Sequence, residues 1–332
     1  MSAGTRLSCP QKPVSKAVVW IVAGIVVAAW GVNFVFAKEA LNQFDVGPFN
    51  FIRFASMAVL GWAVLGLTGG VTPVRREHRG RLVAVAVVGF CGYVFGFSVG
   101  LSLTSAFSAS LLLALVPLFV MLFTSLERRN LPAPLSLIAV AAAAAGCVLF
   151  VTARTSVSIG WGDLVTLLVA ASYAIYLMAI RPLVVHFKPF TLTTYATTIA
   201  AVPILALTVP TLGSQDWSGV DATGWAAMTW VVIGPVFVAW SVWNWVLRHL
   251  DAERVAPLLF TVPITSGIAA SLLLDEQITG GQVIGTALVV AGLLLNRRAT
   301  RVQDRLERRA VSPYDPEQRP AAGLRRGRTA GG

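Results

Sequence analysis

The sequence predicts an all-α integral membrane protein with ten transmembrane helices, arranged as two inverted five-helix repeats. Three observations carry this reading. Apolar residues make up 56% of the 332-residue chain and charged residues only 12%, with a mean hydropathy of +0.74. A soluble domain, about a quarter of it charged, could not cover its surface with so few. The apolar residues fall into runs long enough to cross a bilayer, which takes roughly 20 residues. The first half of the chain also matches the second in register.

The runs are 17–37, 47–67, 82–102, 105–126, 132–152, 160–181, 190–210, 223–247, 254–274 and 279–296. The third and fourth are parted only by an uncharged link around Ser102 and Thr104-Ser105. They must still be two helices, because one spanning both would be about twice too long for a membrane. Arg6, Lys12 and Lys16 precede the first run as they would in a signal peptide. The run is too long for that and more follow, so it reads as a retained first helix.

The net charge of +11 reflects topology and does not point to nucleic acid. Ten of the 26 Lys and Arg lie from Arg297 onward, in a tail (297–332) that reads as basic, disordered and able to touch anionic lipid. With the N-terminal segment (1–16) in the cytoplasm, 23 of the 26 fall on the inner side. Lys38 and Arg154 fall outside, and Arg53 lies within a span. Outer loops hold acids instead: Glu39, Asp45, Asp216, Asp221, Asp275 and Glu276. Both termini are therefore expected in the cytoplasm.

The repeat aligns Pro117 with Pro263, Asn130 with Glu276 and Gly146 with Gly292 at one offset. At a second, slightly shorter offset, Trp30 meets Tyr173, Gly31 meets Ala174, Asn33 meets Tyr176 and Lys38 meets Arg181. The halves are 17–152 and 160–296, joined near Ser156-Val157-Ser158. Five spans per half is an odd number, so the second half enters the membrane inverted. Such repeats place binding sites at their interface.

Few side chains offer chemistry. Cys9, Cys91 and Cys147 form no pairing or metal pattern, and His78, His186 and His249 sit at span ends as interfacial groups. No nucleophile elbow, zinc motif or phosphate loop occurs, so no metal, cofactor or catalytic residue is expected. The candidate substrate-binding residues are the polar and amphipathic groups inside spans: Asn33, Arg53, Tyr93, Tyr173, Tyr176, Trp243 and Asn244. Arg53 either snorkels to the headgroups, lines a cavity, or pairs with Glu39 or Asp163. Asn33 and Tyr176, at matched repeat positions, are candidates for opposite walls of one cavity. Pro117 and Pro263, both mid-span, predict matched kinks suited to gating. Glu39, Asp163 and Glu276 are the candidate coupling carboxylates. Gly89, Gly92, Gly96 and Gly100, with Gly281 and Gly285, read as close-packing stripes.

The set Trp30-Gly31-Val32-Asn33-Phe34, Lys38, Leu41, Pro48 and Arg53 resembles the opening of EamA-type members of the drug/metabolite transporter superfamily. Ala256, Leu259, Pro263, Glu276, Gly285 and Gly292 resemble the close of that family's repeat. The sequence departs at Asn130, where first repeats carry an acid (Glu127 lies three residues earlier), and at Tyr173, where second repeats often carry Trp. The resemblance implies a multi-pass carrier of the bacterial inner membrane, its ten helices around a central cavity, that exports a small metabolite, amino acid or drug by alternating access. Its expected partners are that substrate and the lipid bilayer, with no nucleic acid; monomer and homodimer both stay open. A membrane enzyme acting on a lipid-linked substrate and a non-transporting scaffold subunit are the competing readings.

Overall fold

Ten helical segments cross the molecule. A computed structural model describes residues 15–129, 132, 134–153, 160–184, 186–250 and 256–311, and all regular structure among them is helical. Helix α1 is Lys16–Gln43 and α2 is Val46–Thr68. Helix α3 runs from Arg76–Ala86 through a π-helical stretch, Val87–Phe95, into Gly96–Leu103. Helix α4 is Ala106–Leu113, broken by a turn before Val116–Arg128. Helix α5 is Pro134–Thr152, α6 is Trp161–Val184 and α7 is Pro189–Thr208. Helix α8 repeats the plan of α3: Ala222–Ile233, a π stretch Gly234–Ala239, then Trp240–His249. Helix α9 opens with a 3-10 turn, Ala256–Thr261, before Val262–Leu273, and α10 is Gly280–Val311. Seven segments are long and apolar enough to span a membrane alone; the three shorter apolar helices lie in α5, α8 and α9.

Helices α1, α3 and α10 overrun their apolar runs by a turn or more. Helix α1 continues past residue 37 because Ala37, Lys38, Glu39, Ala40 and Leu41 are good helix formers. It stops at Phe44, just before the Pro48 of α2, which is tolerated in that helix's first turn. Helix α10 likewise continues through its charged end to Val311, where a disordered tail was expected from residue 297. Pro117 and Pro263 do not kink continuous helices. Each sits in the first turn of a restarted helix, at Val116 and Val262, where a missing N–H costs nothing.

The packing is two-fold symmetric. The second helices pair with each other (α2 with α7), and so do the fifth (α5 with α10). The first helix of each half packs on the third and fourth of the other: α1 on α8 and α9, α6 on α3 and α4. Small residues set these approaches. Gly89, Gly92, Gly96 and Gly100 of α3 lie against Tyr176, Ser172, Val169 and Thr166 of α6, leaving no room for a Cβ. Between α5 and α10, a Cβ on Gly146 would come within 2.7 Å of the Gly285 carbonyl, and one on Gly292 within 2.7 Å of the Ala139 carbonyl. Under the repeat alignment these are one contact and its mate.

The molecule is inside-out relative to a soluble protein. Ile21, Ile25, Val59, Leu67, Leu168 and Leu272 face outward, while Asn33, Asn50, Arg53, Ser98, Thr166 and Ser266 are buried. Hydrocarbon requires that distribution, since it offers polar groups no partners.

Candidate functional site

The symmetry axis passes a layer where each half presents its π stretch to the other half's first helix. A π turn breaks the regular backbone ladder, so its carbonyls need outside donors. Ser172 Oγ of α6 donates to the Val88 carbonyl at 2.9 Å, and Trp30 Nε1 of α1 donates to the Pro235 carbonyl at 3.4 Å. Each donor comes from a first helix and each acceptor lies in the opposite π stretch. Aromatic pairs also join each first helix to the opposite third helix, Tyr93 lying in the π stretch and Trp243 just beyond it. Tyr173 stacks on Tyr93 with ring centroids 4.1 Å apart, and Trp30 packs on Trp243 at 5.2 Å. Tyr176 extends the first group, its ring 5.7 Å from Tyr173 and nearly parallel to it.

Arg53 lies beside the tyrosine group. It sits seven residues into α2, about 10 Å along the axis, and is only 6% exposed. A snorkelling arginine would keep its head at the rim, so protein packing has overridden that option. The guanidinium carbon lies 5.9 Å from the Phe49 ring centroid and 5.8 Å from that of Phe97, with Tyr93 in electrostatic reach. Nε and Nη1 have no hydrogen-bond partner, and among the described residues no carboxylate lies within ion-pair distance. Two ring contacts near the outer limit of cation–π range offer about 1 kcal/mol each. Burial of the charge costs several kcal/mol. The packed rings do not offset it.

Neither Asp163 nor Glu39 pairs with Arg53, and Asp163 shares its place in the fold with Glu276. Asp163, 2% exposed, accepts from Thr104 Oγ1 at 2.8 Å. Glu276 accepts from the backbone N–H of Ala106 at 2.8 Å and of Phe107 at 3.4 Å, capping the start of α4. Lys38 donates to the carbonyls of Leu101 at 2.9 Å and Ser102 at 3.2 Å, closing the end of α3. Three charged residues distant in sequence therefore converge on the uncharged α3–α4 elbow. Glu39 is separate from them. It accepts from Gln43 Nε2 at 2.9 Å, and Gln43 in turn braces the Asp221 end of α8. Asp221 caps α8, and its carboxyl is held down to about 2, first by the Thr223 hydroxyl and then by the Gly224 N–H.

Of the predicted site residues, the structure gathers Arg53, Tyr93, Tyr173 and Tyr176 into one group. Asn33 is buried at comparable depth on α1, with Oδ1 unpartnered. Trp243 belongs to the symmetry-related aromatic pair. The backbone of Asn244 lies in α8, but its side chain falls outside the described residues, as do Asn130 and the 156–158 linker. Sequence reasoning missed Trp30, Phe49, Phe97 and Ser172 as members of this layer. Trp30 had a signal, since it aligns with Tyr173 in the repeat.

A polar, aromatic layer at mid-depth between inverted repeats defines a membrane transporter. The sequence matches the EamA-like transporter family over residues 16–152 and 160–298, and the chain belongs to that family. Among its relatives, an uncharacterized transporter of Archaeoglobus fulgidus is 24% identical, over 83% of this chain and 97% of its own. A probable amino-acid metabolite efflux pump of Escherichia coli is 27% identical, over 83% and 93%. A probable terminal-alkyne amino-acid exporter of Streptantibioticus cattleyicolor is 26% identical, over 86% and 95%. A solved crystal structure shares the fold with a TM-score of 0.58 at 21% identity, covering 88% of this chain and all of that one.

Proposed function

We propose that the protein is a secondary exporter of a small organic metabolite, amino-acid-like in size, which it moves by alternating access without catalysing a reaction. The observation behind this is the mirrored pair of π stretches, each braced by the first helix of the opposite half. Two equivalent flexible points at one depth suit rocking of the halves about a fixed site. The relatives named as amino-acid exporters agree with the substrate size. Asn33, Arg53, Tyr93, Tyr173, Tyr176, Trp243 and Asn244 are assigned to the cavity, and the helix restarts at Pro117 and Pro263 to its gating. The repeats are taken as 17–152 and 160–296. The Lys and Arg bias supports a bacterial inner-membrane location with the N-terminus and the α10 end cytoplasmic, and with the elbow clamped by Lys38, Asp163 and Glu276 on the outer face. Coupling through those acids and Glu39 would be weak, because two of them are committed to the elbow. Flux of labelled amino acids and related metabolites in proteoliposomes tests the proposal. Gradient-dependent flux of at least one compound is expected, and none across a broad panel contradicts it.

A further inference from the structure

We infer that Arg53 is the anion-recognising residue of the transport site, and that the transported molecule carries a single carboxylate beside a flat, apolar body. The inference rests on the transporter reading above and deepens it. A guanidinium is always charged and brings several N–H donors. Arg53 is buried beneath Phe49 and Phe97, with Nε and Nη1 bonded to nothing in the protein. An arginine kept for structure has its donors satisfied, as Lys38 shows: the Leu101 and Ser102 carbonyls take its ammonium. The buried acid Asp163 and the elbow acid Glu276 are likewise committed, to Thr104 and to the α4 N–H groups. The unmet demand of Arg53 is therefore one negative charge supplied from outside the chain.

That charge is single. A phosphate dianion bound to one arginine would leave a second charge uncompensated in a low-dielectric layer, whereas a carboxylate leaves none. The rest of the ligand is read from the rings. Tyr93, in electrostatic reach of the guanidinium, stacks on Tyr173 within 23° of parallel, and Tyr173 on Tyr176 within 15°. A stack of tyrosine rings beside a cation is extended at its end by a further flat, apolar group.

The test is thermal unfolding and direct binding on the full-length protein in detergent, with three probes: 3-phenylpropionate, 2-phenylethylamine and inorganic phosphate. The inference expects stabilisation by the acid and by neither of the others. Arg53→Gln should weaken acid binding by on the order of 10- to 100-fold, the loss of charge-assisted bonds to one anion. It should also leave the ligand-free melting temperature equal or higher, since an unmatched buried charge has gone. Should Arg53→Gln fail to fold, Arg53→Lys decides: weaker acid binding supports the assignment and unchanged binding overturns it. Stabilisation by the amine equal to that by the acid overturns it, as does a response to phosphate alone, no response to the acid, or undiminished binding in Arg53→Gln. Binding without flux would remove the transport reading and leave this subsite standing; flux without carboxylate binding would do the reverse.

Discussion

The two second helices differ where the rest of the fold is most alike. Both α2 and α7 open on a Pro-Phe pair, Pro48-Phe49 and Pro189-Phe190, and that register sets Arg53 opposite Thr194. Thr194 is satisfied by its own helix, its hydroxyl donating to the Phe190 carbonyl at 3.0 Å. Arg53 Nε and Nη1 find no hydrogen-bond partner among the described residues. Around them the architecture is mirrored: the glycine contacts of α5 and α10, the π stretches, and the first-helix donors. Symmetry therefore belongs to the helix frame, and asymmetry to the buried cation. A strictly symmetric site would hold two charges and bind the same ligand twice.

The first prediction breaks this comparison directly. Arg53→Gln should cost about 2 kcal/mol of ligand binding, whereas Thr194→Val should leave binding within twofold, measured by calorimetry on both variants. The next sharpens the mirrored frame. Gly146→Val and Gly292→Val each drive a side chain into backbone that cannot turn aside, so each should lose about 3 kcal/mol and the two losses should match. Unequal melting temperatures for this pair would show that the two-fold is only approximate there. Third, Glu276→Ala leaves α4 with Ser105 as its sole side-chain cap and should cost about 1–2 kcal/mol, while Glu276→Gln, which keeps an acceptor, should cost less. Denaturation in detergent reads both.

The smallest effect is at the Asp221 end of α8. Its carboxyl is held at about 2, below the ordinary carboxylate value near 3.9. The folded state thus favours the ionised form, and the stability it adds is complete above about pH 4. That contribution is lost as pH falls toward 2. A melting-temperature profile between pH 5 and pH 2 should flatten in Asp221→Asn, which caps a helix without titrating.

The frame was legible in the sequence because lipid imposes a strong pattern. Runs of about 20 apolar residues, charge bias and a repeated register are each one-dimensional signals. The site was half legible. Arg53, Tyr93, Tyr173 and Tyr176 stood out as polar groups within apolar runs, and they fall together. The elbow clamp was not readable, since it depends on three residues from three helices meeting one uncharged link. Nor was the π stretch, because Val87–Phe95 has the composition of any apolar helix. The burial of Arg53 could not be read from its position, because it depends on Phe49 and Phe97 packing over the guanidinium.

The most direct test of a symmetric carrier built around one asymmetric cation is carboxylate flux in proteoliposomes holding wild type or Arg53→Gln at equal folded content. The account predicts gradient-driven uptake of a labelled amino acid or aryl carboxylate by the wild type, and uptake reduced at least tenfold in the variant. Equal flux through both would contradict it.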